Sequence, residues 1–327
     1  MVTTVSQLEA CVGAPALPVK MKQIDHLDPL ARAWVAASPL AAVVVAGARG
    51  ISVTLAGGEP GFIKTEERAL SLKRELLDGP FEASPGDGVA LLSLVPGTTE
   101  TLRINGRVTA SDTELRIAVE ECFVHCGKAM IRSSFWAPEA SAAGEALATA
   151  RFCVLATVDA AGHADASPKG DPRGFLLQID ERTVALPDRP GNKRADGHRN
   201  VLDSGKAALL ALTPGQPKVV RIQGAARLTA EEALLSRMAV DNKKPIIATL
   251  LDIQERAEFA SEALVRARPW APERVPAPGK CPTPAELLAA HVKLNKTQGL
   301  AATAVRLAVR PSLVNQGLAH DYRINLY

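Results

Sequence analysis

The stretch from Ser167 to Asn200 concentrates the chemistry of this chain. It holds SPKGDPRGF (Ser167–Phe175) and PDRPGNKRADGHRN (Pro187–Asn200). Each is a Gly/Pro-rich turn carrying cations, hydroxyl or amide groups and a carboxylate. From Arg189 to Arg199, the cations Arg189, Lys193, Arg194 and Arg199 stand against a single acid, Asp196. Glycine lets a backbone approach an anion closely, and Arg and Lys supply charge-assisted hydrogen bonds to it. A phosphate monoester on a small cofactor suits that set, although two solvated surface turns would read the same way.

Other residue groups are narrower. Arg103, Asn105 and Arg107 alternate along LRINGR (Leu102–Arg107), so a strand there would put all three on one face. Cys122, His125 and Cys126 invite a metal reading. No second Cys/His pair is near, and a strand would turn Cys122 and Cys126 away from His125, so no metal is expected. His163 and His198 are lone histidines in turns and are expected in solvent. No G-x-S-x-G elbow and no GxGxxG after a strand is present, which excludes those hydrolase and dinucleotide-binding plans.

Short strands must position these groups. Val89–Leu94 with Leu102–Val108, and Ala208–Leu212 with Val219–Leu228, read as hairpins around Pro-Gly turns. Phe152–Val158 with His163–Ala166 is a third hairpin, and Leu176–Ile179 with Thr183–Leu186 a further strand pair. That pairing would bring the two cationic turns to the same end of one hairpin-like unit or onto adjoining strands. Helices are expected at Pro29–Ala37, Glu66–Leu77, Ala230–Arg237 and Asp252–Arg268. A capping box, Thr283 with Glu286 and Pro284 between, starts another that should run to about Gln298.

An internal repeat organises these elements. VALLSLVPGTTETLRINGRVT (residues 89–109) matches AALLALTPGQPKVVRIQGAARLT (residues 207–229), aligning Arg103 with Arg221 at an offset of 118. AMIRSSFWAPE (129–139) matches ALVRARPWAPE (263–273), aligning Trp136 with Trp270 at an offset of 134. The 16 extra residues of the second copy are expected around Asp241–Arg256. The divisions expected are an N-terminal cap (1–36), a first unit (37–140), a second unit (147–273), and a linker, helix and tail (274–327).

Composition bounds the rest. At 327 residues the chain fits about two domains, and 47% hydrophobic content supports a sizeable core. With 38 basic and 35 acidic residues and 4% aromatics, a nucleic-acid partner is not expected. The longest apolar run, Pro39–Ala48, falls short of the ~20 residues of a spanning helix, so no membrane association is expected. Five scattered cysteines fit reduced thiols and a cytoplasmic location.

SPKGDPRGF, PDRPGNKRADGHRN, LRINGR and FVHCGKAMIRSSFW together resemble the pyridoxamine 5′-phosphate oxidase-like FMN-binding split-barrel family, over roughly residues 38–273. The resemblance is to a flavin-binding branch rather than to pyridoxamine phosphate oxidase itself. It implies an α+β fold: two tandem split β-barrels forming an intrachain pseudo-dimer, with N-terminal and C-terminal helical extensions. It also implies FMN as cofactor and an oxidoreductase that passes hydride or electrons between a small-molecule substrate and NAD(P)H or oxygen. Haem-binding or haem-degrading members, with His125 or His320 as axial ligand, and non-catalytic flavin binders are the alternatives.

Members of the family are generally homodimers with sites at the subunit interface. This chain divides the motifs between its copies: the first keeps LRINGR and HCGKA (His125–Ala129), the second SPKGD and PDRPGN. One site per chain is therefore implied, and a homodimer of the pseudo-dimeric chain is compatible with it. By resemblance, Ser167, Lys169, Arg189, Lys193 and Arg194 would bind the FMN phosphate and ribityl hydroxyls. Asn192, Asp196 and Arg173 would bind the ribityl chain or hold the cations. Arg103, Asn105 and Arg107 would face the site from the other barrel. His125 and Lys128 would contact the isoalloxazine or the substrate. The tail, with Tyr322 and Tyr327, would either cover the flavin face or brace a dimer.

Overall fold

Alternate side chains of one strand, β1 (Leu40–Gly47), enter two different cores. Ala41, Val43 and Val45 point into a first core, and Leu40, Ala42, Val44 and Ala46 into a second. A strand buried on both faces must be apolar throughout, which is why LAAVVVAG shows no polar alternation. The computed structural model describes residues 1–141 and 143–327.

The first sheet comprises β1, β2 (Gly50–Gly57), β3 (Lys64–Thr65), β4 (Ala69–Lys73), β5 (Gly88–Leu94), β6 (Thr101–Ser111) and β7 (Glu114–His125). Its order is β2-β1-β5-β6-β7-β4-β3. The second comprises β8 (Phe152–Val158), β9 (Ala164–Gly170), β10 (Leu177–Asp180), β11 (Thr183–Asp188), β12 (Lys206–Leu212), β13 (Lys218–Thr229) and β14 (Ile247–Ala260). Read from its other edge, its order is β9-β8-β12-β13-β14-β11-β10, the same path. Register repeats as well: Leu92 faces Arg103 across β5 and β6, and Leu210 faces Arg221 across β12 and β13. The fold is thus α+β, with tandem split barrels.

The barrels meet through a shared core. β1, β2 and β5 contribute Val44, Leu55 and Leu92; β8 and β12 contribute Val154 and Leu210. The matched tryptophans meet there: Phe135 lies 4.8 Å from Trp136 and 5.6 Å from Trp270, ring centre to ring centre. Burying such rings favours a fixed association of the two halves.

The helices are α1 (Val5–Val12), α2 (Leu17–Met21), α3 (Pro29–Ala37), α4 (Lys128–Arg132), α5 (Ala146–Thr149), α6 (Asp196–Ser204), α7 (Glu232–Arg237), α8 (Glu262–Ala267), α9 (Pro284–Leu294), α10 (Leu300–Ala308) and α11 (Pro311–Ile324). The helices α4 and α8 are pseudo-equivalent. Arg132 Nε donates to Gly170 O at 3.1 Å, and Arg266 Nε donates to Gly57 O at 3.1 Å. Among the described residues no helix is long and apolar enough to cross a membrane.

Four expectations are corrected. Residues 66–77 are not a helix: Leu70 and Leu72 alternate into the first core, and β4 pairs with β7. Residues 252–268 are only partly helical. β14 continues to Ala260 because it pairs along β13, and Ser261 then caps α8, accepting from Leu264 N at 3.0 Å. The extra residues of the second copy lie between β13 and β14, at 230–246 where α7 stands, overlapping the expected 241–256 only at its start; the first copy has only Asp112 and Thr113 there. The C-terminal capping box forms as expected, but α9 ends at Leu294 rather than near Gln298.

Candidate functional site

A cleft between the barrels gathers both motif sets. From the second barrel come Ser167 and Lys169 on β9 and the loop from Asp188 to α6. From the first come Arg103 on β6, His125 at the end of β7, and Lys128 and Arg132 on α4. The cleft holds about 90 Å³ of free space. Seven cations line it against two carboxylates, Asp188 and Asp196, so its field favours an anion.

Buried ion pairs fix its walls. Arg103 crosses between barrels to Asp165, and its Nη2 donates to Ser167 Oγ at 3.1 Å. Ser167 Oγ in turn donates to Asp165 Oδ2 at 3.0 Å. Lys169 pairs with Asp188, whose pKa stays below the usual range: burial opposes the charge, but Lys169 and His198 outweigh it. Arg189 is internally engaged. Its Nε donates to Asp171 at 2.7 Å, and its Nη atoms donate to Met238 O at 2.8 Å and Lys243 O at 2.9 Å. The extra segment of the second copy therefore braces the PDRPGN loop from behind.

The loop leading to α6 is shaped for an anion. Lys193 and Ala195 are left-handed, at φ 61° and 55°. Ala195 places no side-chain cap on α6, leaving first-turn N–H groups without side-chain acceptors at the cleft. That turn packs against β8 and β9: a Cβ on Gly197 would stand 3.3 Å from Thr157 Oγ1 and 3.4 Å from Ser167 Oγ. Lys193 is exposed and has no ion-pair partner among the described residues, while Arg194 Nε donates to Asp196 at 2.6 Å. Asn192 Nδ2, His198 Nε2 and Arg103 Nε are buried without hydrogen-bond partners.

The remaining sequence candidates are placed variously. Asn105 and Arg107 do share the Arg103 face. Asn105 Nδ2 donates to Glu121 at 3.0 Å, and Arg107 Nη1 donates to Gly162 O at 3.0 Å, clamping one barrel to the other rather than lining the cleft. Arg173 pairs with Glu139 at the surface, also outside the cleft. His125 is half-buried. Burial, with Arg103 and Lys22 nearby, lowers its pKa well below the usual value, so it is neutral at pH 7. His320 is exposed on α11, away from the cleft.

Two sequence readings fail here. His198 is buried in the first turn of α6, not solvated, and burial lowers its pKa to about 4. Cys126 lies past the end of β7 and lines the cleft beside His125, while Cys122 points into the first core. Among the described residues no cluster could hold a metal.

Sequence reading also missed several contributors. Asp188, Asp171 and Arg132 lay within motifs already quoted, and their conjunction with cations was the available signal. Lys22 and Gln23 gave none. Gln23 Oε1 accepts from Arg194 Nη2 at 2.9 Å across most of the chain. The tail supplies more. Asp321 pairs with the buried Lys128 at 2.9 Å, and Tyr322 Oη accepts from Gly127 N at 2.9 Å and donates to Glu100 at 2.6 Å. The Tyr327 ring lies under the guanidinium groups of Arg132 and Arg189, at 5.9 and 5.4 Å.

The pseudo-equivalent interface lacks this equipment. By the repeat offsets and strand registers, Lys169 corresponds to Ala56, His125 to Phe259 and Lys128 to Glu262.

Residues 140–270 match the family described as Pyridoxamine 5'-phosphate oxidase. No curated protein matches the chain. Solved structures similar to part of it include HupZ of Group A Streptococcus, at 18% identity over 35% of this chain and 93% of that one, with TM-score 0.29. A putative pyridoxamine 5′-phosphate oxidase of Lactobacillus delbrueckii is 21% identical over 33% of this chain and 84% of that one, with TM-score 0.27. The heme storage protein HutZ of Vibrio cholerae is 14% identical over 34% and 85%, with TM-score 0.25. The family match spans the second barrel, and the first barrel repeats that barrel's strand order, so the chain is similar to the pyridoxamine 5′-phosphate oxidase family over its second barrel and carries the same topology twice.

Proposed function

We propose that the chain is an FMN-dependent oxidoreductase with one cofactor site, set between the barrels, acting on a small molecule with NAD(P)H or oxygen as redox partner. The observation that carries this reading is the anion cradle: an α6 N-terminus without a side-chain cap, flanked by Lys193, Arg194 and Lys169, with the partnerless Asn192 Nδ2 beside it. A phosphate monoester satisfies helix N–H groups and cations together. Bound FMN would supply the electron-transfer chemistry.

The protein's part is binding, orientation and charge. Lys193, Arg194 and the first turn of α6 would hold the phosphate, with Lys169 and Asn192 beside them. Arg189 would act behind them, fixing the loop through Asp171. Lys128 brings a cation from the first barrel, and the neutral His125 offers a hydrogen-bonding group that carries no charge at pH 7. Arg103, held by Asp165, keeps the barrels in register at the site.

The second interface, with Ala56, Phe259 and Glu262 at the corresponding positions, would bind no phosphate. Acid extraction of the purified chain, with flavin quantified against protein, should give about one FMN per chain. A ratio near two would overturn the single-site assignment, and a protein that takes up no FMN on reconstitution would overturn the function.

A further inference from the structure

A second cavity, of about 390 Å³, opens beside the cleft and shares His125, Cys126, Asn192 and Lys193 with it. Its outer wall is built by the parts of the chain that lie outside the repeat. Pro18 and Val19 come from α2, Leu288 from α9, and Leu318 from α11. Val124 supplies its floor from β7. These groups make the cavity largely apolar.

Four charged side chains interrupt that lining: Lys22, Glu100, Lys193 and Asp321. Lys22, which ends α2, is only 4% exposed and borders the cavity. No side chain among the described residues hydrogen-bonds or ion-pairs with its Nζ; the nearest aromatic face is Phe123, at 5.5 Å. The acids of the cavity are already engaged, Glu100 by Thr99 and Tyr322, and Asp321 by Lys128. A buried ammonium without a counterion is costly unless something supplies one. Burial first, and then the charge of Arg194, lower the Lys22 pKa to about 7, so an anion arriving there gains both a partner and a favourable field.

We propose that this cavity binds a small monocarboxylate with an apolar or aromatic body, its carboxylate on Lys22 and its body against Val19, Val124, Leu288 and Leu318. As a binding site it stands on these residues alone; as the substrate pocket of an oxidoreductase it rests on the flavin reading of the neighbouring cleft. An apolar cavity with one buried unpartnered cation favours one carboxylate over a polyanion; Lys193, also without an ion-pair partner, is exposed and shared with the cleft. Lys169, Arg194 and the first turn of α6 line the cleft and not this cavity.

Calorimetric titration of the full chain at pH 6, where Lys22 is protonated, tests this with 2-naphthoate and its neutral counterpart 2-naphthamide. Flavin content is read separately from absorbance, so failure of the FMN reading and failure of this one are distinguishable. Naphthoate should bind more tightly than the amide. Lys22→Met should weaken naphthoate by about 10-fold or more and leave the amide unchanged, as expected for loss of one charge-assisted bond. Should Lys22→Met not fold, Leu318→Trp, on a helix with no fully buried residue, fills the cavity and should abolish binding of both probes. Equal affinities for the two probes, a Lys22→Met variant with unchanged preference, or a Leu318→Trp variant with unchanged binding would overturn the assignment. So would displacement of naphthoate by inorganic phosphate at comparable concentration.

Discussion

His198 shows how much of the site depends on burial rather than on residue type. It sits in the first turn of α6, 3.8 Å from Asp188, with Nε2 lacking a hydrogen-bond partner. Burial is the largest influence and drives its pKa from 6.5 to about 4. Because the folded value is depressed, the unfolded chain takes up the proton first as pH falls. The His198 contribution is intact above pH 6.5 and is lost progressively between about 6.5 and 4. Between pH 7 and 5 that amounts to about 2 kcal/mol of unfolding free energy. Urea denaturation at the two pH values measures it. His198→Gln, which cannot protonate, should remove that part of the acid sensitivity. His125, depressed in the same direction, supplies a residual slope in the variant. A variant as acid-sensitive as the parent would refute the assignment to His198. The lone-histidine rule failed here because solvation is decided by what packs over a turn, and α6 packs its first turn against β9.

At the scale of elements, the barrel junction depends on two glycines that end equivalent strands. A Cβ on Gly170, at the end of β9, would collide with the carbonyl oxygen of Ala129 in α4; one on Gly57 would collide with that of Ala263 in α8. Gly170→Ala should therefore push α4 away and cost about 1–3 kcal/mol, the usual range for overpacking. Gly191→Ala is the control, since its Cβ would meet only Arg189 O at 3.9 Å. Equal shifts of the urea midpoint for the two variants would show that this contact is slack. The same contrast between local and distant constraints explains what the sequence revealed. The Pro-Gly hairpins, the repeat and the Thr283 capping box were legible because their signals are contained within a few residues or recur. β4 and the last part of β14 were not, because Leu70 and Leu72 fit a helical stripe as well as a strand face until the partner strand is known. The cleft motifs could be read, but the closure of Arg189 onto Met238 and Lys243 could not, since an insertion absent from the first copy provides it.

At the scale of the whole molecule, the two extensions reach residues of the inter-barrel cleft. The tail reaches it with contacts that sequence proximity could not suggest: Gly127 and Tyr322 are 195 residues apart. No residue of α11 is fully buried, so the helix adds little to the cores. What it adds is a set of contacts to cleft residues: Asp321 on Lys128, Tyr322 between Gly127 and Glu100, and the Tyr327 ring beside Arg132 and Arg189. α9 is different, because Leu287 belongs to the first barrel's core. A chain ending after Ala308 therefore removes these contacts and spares the fold. It should stay folded, with a melting temperature within a few degrees of the parent, because surface contacts contribute little. Amide exchange at Gly127 should rise, since its N–H loses the Tyr322 acceptor and gains access to water. Iodide quenching of bound flavin should strengthen several-fold as the opening widens. If exchange at Gly127 and quenching both match the full chain, α11 does not shield the cleft. If the shortened chain instead changes its oligomeric state with both readouts unchanged, the tail is a brace between copies, and Asp321 and Tyr322 hold that brace rather than a cover.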